Sequence, residues 1–162
     1  MRVPCNRRHF AHVLWASLCT KASGEPKAAH LTQDDFFVAG LAIGASEDEV
    51  RKSLGAPISV KSFPSPNDSE DVVRLLTYRD FMVHVRGDKL VFGFSLLGPR
   101  IRSKRGLRVG DSIQTLHTVY GQPKGSYESV FDYYEGEDEH QVVRVTVKNG
   151  RVTRIYVGQI AD

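Results

Sequence analysis

One stretch of this chain occurs twice. Residues 40–57 read GLAIGASEDEVRKSLGAP, and residues 106–123 read GLRVGDSIQTLHTVYGQP. At an offset of 66 they share Gly40/Gly106, Leu41/Leu107, Gly44/Gly110, Ser46/Ser112, Gly55/Gly121 and Pro57/Pro123. Ile43/Val109, Val50/Leu116 and Leu54/Tyr120 are apolar in both copies. An internal repeat limits the fold more than any single motif, because one unit of about 55–60 residues buries only a marginal core and must pack on its copy.

The matching residues have structural roles. Ser46 and Ser112 fit helix N-caps, and Ser46 with Glu49 fits a capping box. Val50 with Leu54, and Ile113 with Leu116 and Tyr120, recur at helical spacing. Gly55 and Gly121 suit a helix C-terminus, and Pro57 and Pro123 prevent continuation. Each copy therefore opens with a helix of about two turns, too short to persist without docking.

The segment after each helix alternates as strands do. Copy one reads as strands Val72–Tyr78, Phe81–Arg86 and Lys89–Leu96, with a two-residue turn at Gly87-Asp88. Alternation predicts Phe81, Val83, Val85, Leu90, Phe92 and Phe94 on one face. It predicts Met82, His84, Arg86, Lys89 and Ser95 on the other. Copy two reads as Val130–Tyr134, Gln141–Lys148 and Arg151–Val157, with Asn149-Gly150 as the strongest short hairpin turn in the chain. Val143, Val145 and Val147 repeat the inward pattern. Arg154 breaks it unless a bulge shifts the register. Phe63–Ser69 reads as a loop, and Lys124–Tyr127 as a shorter link.

The expected fold class is α+β: two tandem helix-plus-antiparallel-meander repeats forming a joined sheet, with short helices on one face. Residues 31–98 form the first repeat and residues 99–162 the second, together one compact domain. Residues 1–30 read as a leader. Arg7 and Arg8 precede an apolar run and the small residues Ala22-Ser23-Gly24, the order of a secretory signal. A disordered extension is the alternative, and a lipid anchor at Cys19 a further one. The net charge of +3 resides in this leader. Arg2, Arg7, Arg8, Lys21 and Lys27 against Glu25 contribute +4, which leaves −1 for the remaining residues. The basic average therefore gives no reason to expect nucleic acid as a partner.

The repeated opening resembles the SmpA/OmlA (BamE-like) lipoprotein domain. It is also similar to the beta-lactamase-inhibitor-like superfamily, in which such units occur in tandem. Ser103–Pro123 carries the nearest likeness, which extends over roughly residues 40–160. The resemblance implies a periplasmic, cell-envelope or secreted protein that binds another envelope or extracellular protein and performs no catalysis.

No HExxH pair, GxSxG elbow or P-loop occurs, and no cofactor is expected. Glu135, Glu137, Asp138 and Glu139 read as a solvated hairpin tip. Three functional readings are open. The first is a non-enzymatic protein-binding or scaffolding module. Its partner would dock on the polar sheet face carrying Met82, His84, Arg86 and Lys89 from copy one and Arg144, Thr146, Lys148, Arg151 and Thr153 from copy two. The second is binding to an anionic lipid or polymer through Arg100, Arg102, Lys104, Arg105 and Arg108, five cations in nine residues of the inter-repeat linker. The third is a metal-dependent or hydrolytic enzyme using His84.

Overall fold

The computed structural model describes residues 30–65, 71–87, 89–136 and 140–160. The expected leader up to residue 29, with Cys19, lies outside the described residues, as do Asp88 of the expected turn and Glu137, Asp138 and Glu139. The first elements among the described residues are a 3-10 turn, Gln33–Phe36, and a small hairpin of β1 (Phe37–Val38) and β2 (Leu41–Ala42). Then come α1 (Glu47–Leu54), β3 (Ser59–Pro64), β4 (Val72–Thr77), β5 (Phe81–Val85) and β6 (Val91–Leu96). The second half has α2 (Ile113–Tyr120), β7 (Gly125–Tyr127), β8 (Val130–Tyr134), β9 (Gln141–Lys148) and β10 (Arg151–Gln159). The fold is α+β: one antiparallel eight-stranded sheet in the order β3-β4-β5-β6-β10-β9-β8-β7, with two short helices.

Both helices start where the serines place them. Ser46 Oγ accepts from the Glu49 amide at 3.3 Å, and Glu49 Oε2 accepts from the Ser46 amide at 2.7 Å. Those contacts with Ser46 hold the Glu49 carboxyl below its ordinary range. Ser112 Oγ accepts from the Thr115 amide at 3.1 Å. Replacing Ser46 by alanine is expected to lower stability by about 1 kcal/mol, the usual size of a lost N-cap. Urea unfolding measures it, and no loss would show that packing alone positions α1. Both helices end on glycines with positive φ, 78° at Gly55 and 70° at Gly121, where a side chain would be strained.

The loops before the two helices make similar backbone bonds to β6 and β10 and their turns. Gly44 donates its amide to Val91 O (2.7 Å), and Gly110 donates to Val152 O (2.8 Å). Val91 donates back to Ala45 O (2.8 Å), and Val152 to Asp111 O (2.9 Å). Glu47 N bonds Lys89 O (2.9 Å), and Ile113 N bonds Gly150 O (3.0 Å). These bonds pin each helix start to the hairpin of its own half.

One apolar layer lies between the helices and the sheet. Val50, Leu116 and Tyr120 pack into a single buried cluster with Val83, Val85, Val145 and Val147. The halves meet where β6 pairs with β10: Leu96↔Ile155, Ser95↔Tyr156, Phe94↔Val157 and Gly93↔Gly158. Both central hairpins carry a one-residue bulge. Val85 pairs with Val91 while His84 pairs with Gly93, so Phe92 is the extra residue. Val147 pairs with Val152 while Thr146 pairs with Arg154, so Thr153 is the extra residue.

The bulges correct one expectation and meet another. Phe92 does not point inward: the bulge turns it to the face of His84, and Val91 fills the core in its place. Leu90 is likewise 41% exposed rather than inward. Arg154 is released to the polar face by the register shift that its charge required. A further correction concerns residues 59–64, which form strand β3 where Phe63 and Pro64 were expected in a loop. β3 is an edge strand paired only with β4, so Pro64 costs no interior ladder bond.

Candidate functional site

The face of the sheet opposite the helices is not a plain solvated surface. Ser95 and Val142 on it are fully buried (0% exposed), although neither belongs to the layer beneath the helices. Their cover is a set of long side chains lying across the strands. Tyr156 lies over glycines: a Cβ on Gly93 would stand 2.5 Å from the Tyr156 hydroxyl. That hydroxyl donates to Gln159 O at 2.6 Å, which fixes the ring.

His84 sits in the middle of this cover. Its ring meets Phe92 and Tyr156 edge-on, with centroids 5.7 and 5.5 Å away. His84 Nε2 lies 2.8 Å from Ser95 Oγ, and Arg154 Nη2 donates to the same oxygen at 2.8 Å. Ser95 Oγ accepts from Arg154 and keeps both its proton and a second lone pair for Nε2, so the direction of that bond follows the imidazole tautomer. Burial, and then the charge of Arg154, push the His84 pKa down from 6.5 to about 4. The imidazole is neutral at physiological pH. Burial likewise raises the Tyr156 phenol to about 12.

Cations flank this cluster. Arg86 stacks over Phe92, 5.3 Å from the ring centroid. Arg144 makes a two-pronged pair with Asp132, both contacts at 2.8 Å, and Tyr134 donates to the same carboxylate at 3.1 Å. Arg154 has no ion-pair partner among the described residues and is exposed. Arg144, Thr146, Arg154 and Tyr156 enclose a hollow of about 240 Å³.

Of the residues expected on this face, the structure brings together Met82, His84, Arg86, Arg144 and Thr146 around Ser95 and Tyr156. Lys89, Lys148, Arg151 and Thr153 do not join the cluster. Lys89 sits in the β5–β6 turn, where its carbonyl receives the first amide of α1. Arg151 pairs with Lys148 at the far end of the β9–β10 hairpin and donates to Gly110 O at 3.0 Å. Thr153 donates to Thr146 O at 3.2 Å within the bulge. His84, expected on the polar face, is half-buried there beneath rings and a guanidinium. Phe92, Ser95, Arg154 and Tyr156 were not among the expected site residues. The cation within the apolar phase of β10 was the one sequence signal for Arg154.

The linker cations are largely engaged elsewhere. Arg105 holds Asp35 through two contacts of 2.6 and 2.8 Å and also donates to His30 O at 2.7 Å. Arg100 pairs with Asp80 at 3.2 Å, and Arg108 with Asp111 at 3.3 Å. Lys104 lies 6.0 Å from the Phe37 ring centroid. That leaves Arg102 and Lys104 without a carboxylate among the described residues. No group of three or more His, Cys, Asp or Glu side chains converges as metal ligands among the described residues.

No family model and no curated protein matches this chain. Two solved structures share its fold. One is an extracellular protein containing a SCP domain from Bacillus anthracis str. Ames, with a TM-score of 0.54 at 8% identity. The alignment covers 82% of this chain and 49% of that protein, so this chain spans about half its length. The other is the uncharacterized protein YfeY from Escherichia coli, with a TM-score of 0.51 at 13% identity over 77% of this chain and 97% of that one. At these identities the likeness is one of fold alone.

Proposed function

We propose that this chain is a non-enzymatic binding module of the cell envelope or exterior, one structural unit used twice, which receives an acidic protein partner on its open sheet face. The observation that carries the reading is the row Arg86–Phe92–His84–Tyr156–Arg154 across the centre of that face. It places Arg86 over the half-buried Phe92 ring and Arg154 on the Ser95 hydroxyl, on the side of the sheet that no described helix occupies. Charges held in this way are oriented before a partner arrives, which reduces the ordering cost of binding.

Duplication is supported by geometry as well as by sequence. The loop positions match at an offset of 66, and their strand partners, Val91 and Val152, match at 61. The bulge residues Phe92 and Thr153 also differ by 61. Location outside the cytoplasm and kinship with the SmpA/OmlA (BamE-like) or beta-lactamase-inhibitor-like domains belong to the same proposal and rest on the resemblance. No described helix is long and apolar enough to cross a membrane.

Two other readings are less well supported. Anionic-surface binding by the linker asks for free cations, and three of its five are in ion pairs. Hydrolysis through His84 asks for a reachable nucleophile. Ser95 stands at hydrogen-bond distance from it but has no exposed surface.

The test is fluorescence anisotropy of the full chain with a labelled octaglutamate peptide at two salt concentrations. The variant Arg86→Gln/Arg154→Gln is expected to lose about tenfold or more in affinity, the scale of a lost charge-assisted contact. Arg102→Gln/Lys104→Gln is expected to change little. The opposite ranking would move binding to the linker, and peptide binding that ignores both variants would remove the open-face reading.

A further inference from the structure

We propose that the hollow bounded by Arg144, Thr146, Arg154 and Tyr156 is a carboxylate site, which seats one aspartate or glutamate side chain of the partner. This inference rests on the open-face reading above and gives it a specific contact.

The four residues are two adjacent cross-strand pairs, Arg144↔Tyr156 and Thr146↔Arg154, on neighbouring strands β9 and β10. Directly opposed residues in an antiparallel pair stand about 5 Å apart, and successive same-face positions along a strand about 7 Å apart. A square of that size admits a single carboxylate group between its corners. Two corners are guanidinium groups and a third is a hydroxyl, all groups that donate to oxygen. Arg144 is already held in place by Asp132. Arg154 is held by Ser95, a neutral acceptor, and keeps its full charge for a ligand.

Charge counting selects the ligand class. Arg144 and Asp132 cancel, and Arg154 adds one positive charge. A monoanionic carboxylate is neutralised by that arrangement. A phosphate dianion would be left with an uncompensated charge beside Asp132. The guanidinium fork of Arg154 also matches the planar geometry of a carboxylate.

The fold does not impose this square. One bulge away on β5 and β6, the pairs Met82↔Ser95 and His84↔Gly93 occupy the same arrangement relative to the seam, and neither contains a cation. The two arginines are therefore a property of one half of the sheet.

The full chain, isotopically labelled, is titrated by NMR with an acetylated triglutamate amide and, separately, with inorganic phosphate. The expected result is saturable peptide-induced shifts at the amides of Thr146, Arg154 and Tyr156. The His84 ring, in contact with Arg154 through Ser95, is expected to respond as well. Arg154→Gln should weaken the peptide about tenfold, Arg154→Lys less, and Lys148→Gln less than about twofold. Should Arg154→Gln fail to fold, Thr146→Val keeps the backbone and charge and is expected to lose about threefold. Peptide shifts confined to Phe92 and Arg86 would overturn the hollow while leaving the open-face reading standing. Phosphate saturation without peptide saturation would overturn the carboxylate assignment. Absence of peptide shifts anywhere on the face would overturn both.

Discussion

Replacing Gly158 by alanine is expected to be among the most damaging single changes in this chain, costing about 3 kcal/mol, the upper range for overpacking. Gly158 pairs with Gly93 at the junction of the two halves. A Cβ there would lie 2.5 Å from Phe92 O and 2.6 Å from the Gly93 Cα. Both are backbone atoms of the adjoining strand, so relief requires β6 and β10 to separate. Gly93→Ala makes a different collision, in which the three nearest atoms, at 2.5–2.8 Å, all belong to the Tyr156 side chain. That ring can be removed. Tyr156→Ser is therefore expected to rescue part of the loss in Gly93→Ala and little in Gly158→Ala, where it removes the 2.8 Å contact with the Tyr156 hydroxyl but leaves both backbone contacts. Urea unfolding reads both, with a midpoint drop of about 1–2 M for Gly158→Ala at ordinary m-values. A Gly158→Ala protein within about 0.5 kcal/mol of wild type would mean that the seam has slack not visible in its packing.

The second large effect is acid lability from His84. Its folded pKa of about 4 lies below the ordinary 6.5, because burial and Arg154 oppose a charge on the ring. Between those two values the unfolded chain takes up a proton that the folded chain refuses. Stability from this group is therefore complete above pH 6.5, falls as pH is lowered, and is gone below about pH 4. Linkage gives a loss on the order of 2–3 kcal/mol across the window. Aspartate and glutamate groups titrate near its lower end, so the comparison is with His84→Gln, which has no proton to gain. The wild-type minus variant difference in unfolding free energy should shrink from pH 7 to pH 4. A difference independent of pH would place the imidazole in water.

The parts of the fold that were readable from sequence are those set by local chemistry. Serine caps, terminal glycines, the Asn149-Gly150 turn and strict alternation in β9 each act within a few residues. β3 was not readable, because it is an edge strand with both faces exposed and no alternation to display. The pair of bulges shows the boundary most clearly. In β10 the extra residue was detectable, since leaving Arg154 in the apolar phase would bury an unpaired charge. In β6 the same bulge left no trace. Phe92 is as acceptable in a core as on a supported surface, so hydrophobicity alone could not say which way it points. The site inherits that ambiguity. His84, Arg86, Arg144 and Thr146 were legible as polar positions on a half-buried sheet. Phe92 joins the site through the bulge that turns it beside His84 in its own hairpin, while Ser95 meets Arg154 and Tyr156 meets His84 across the β6–β10 seam, between residues far apart in sequence.

The seam has a midpoint. Ser95 faces Tyr156, and the flanking pairs Phe94↔Val157 and Leu96↔Ile155 exchange roles about that point. This is the contact that two identical molecules make when they associate around a twofold axis. In such a dimer every residue must appear twice, and any ligand site placed off the axis is obliged to exist in duplicate. A single polypeptide is free of that obligation. With both halves on one chain, one quadrant of the face can carry two arginines while its counterpart carries methionine and glycine. Under the proposed binding function, a partner would then have one way to dock instead of two equivalent ones, and the complex would have a defined orientation and a one-to-one stoichiometry.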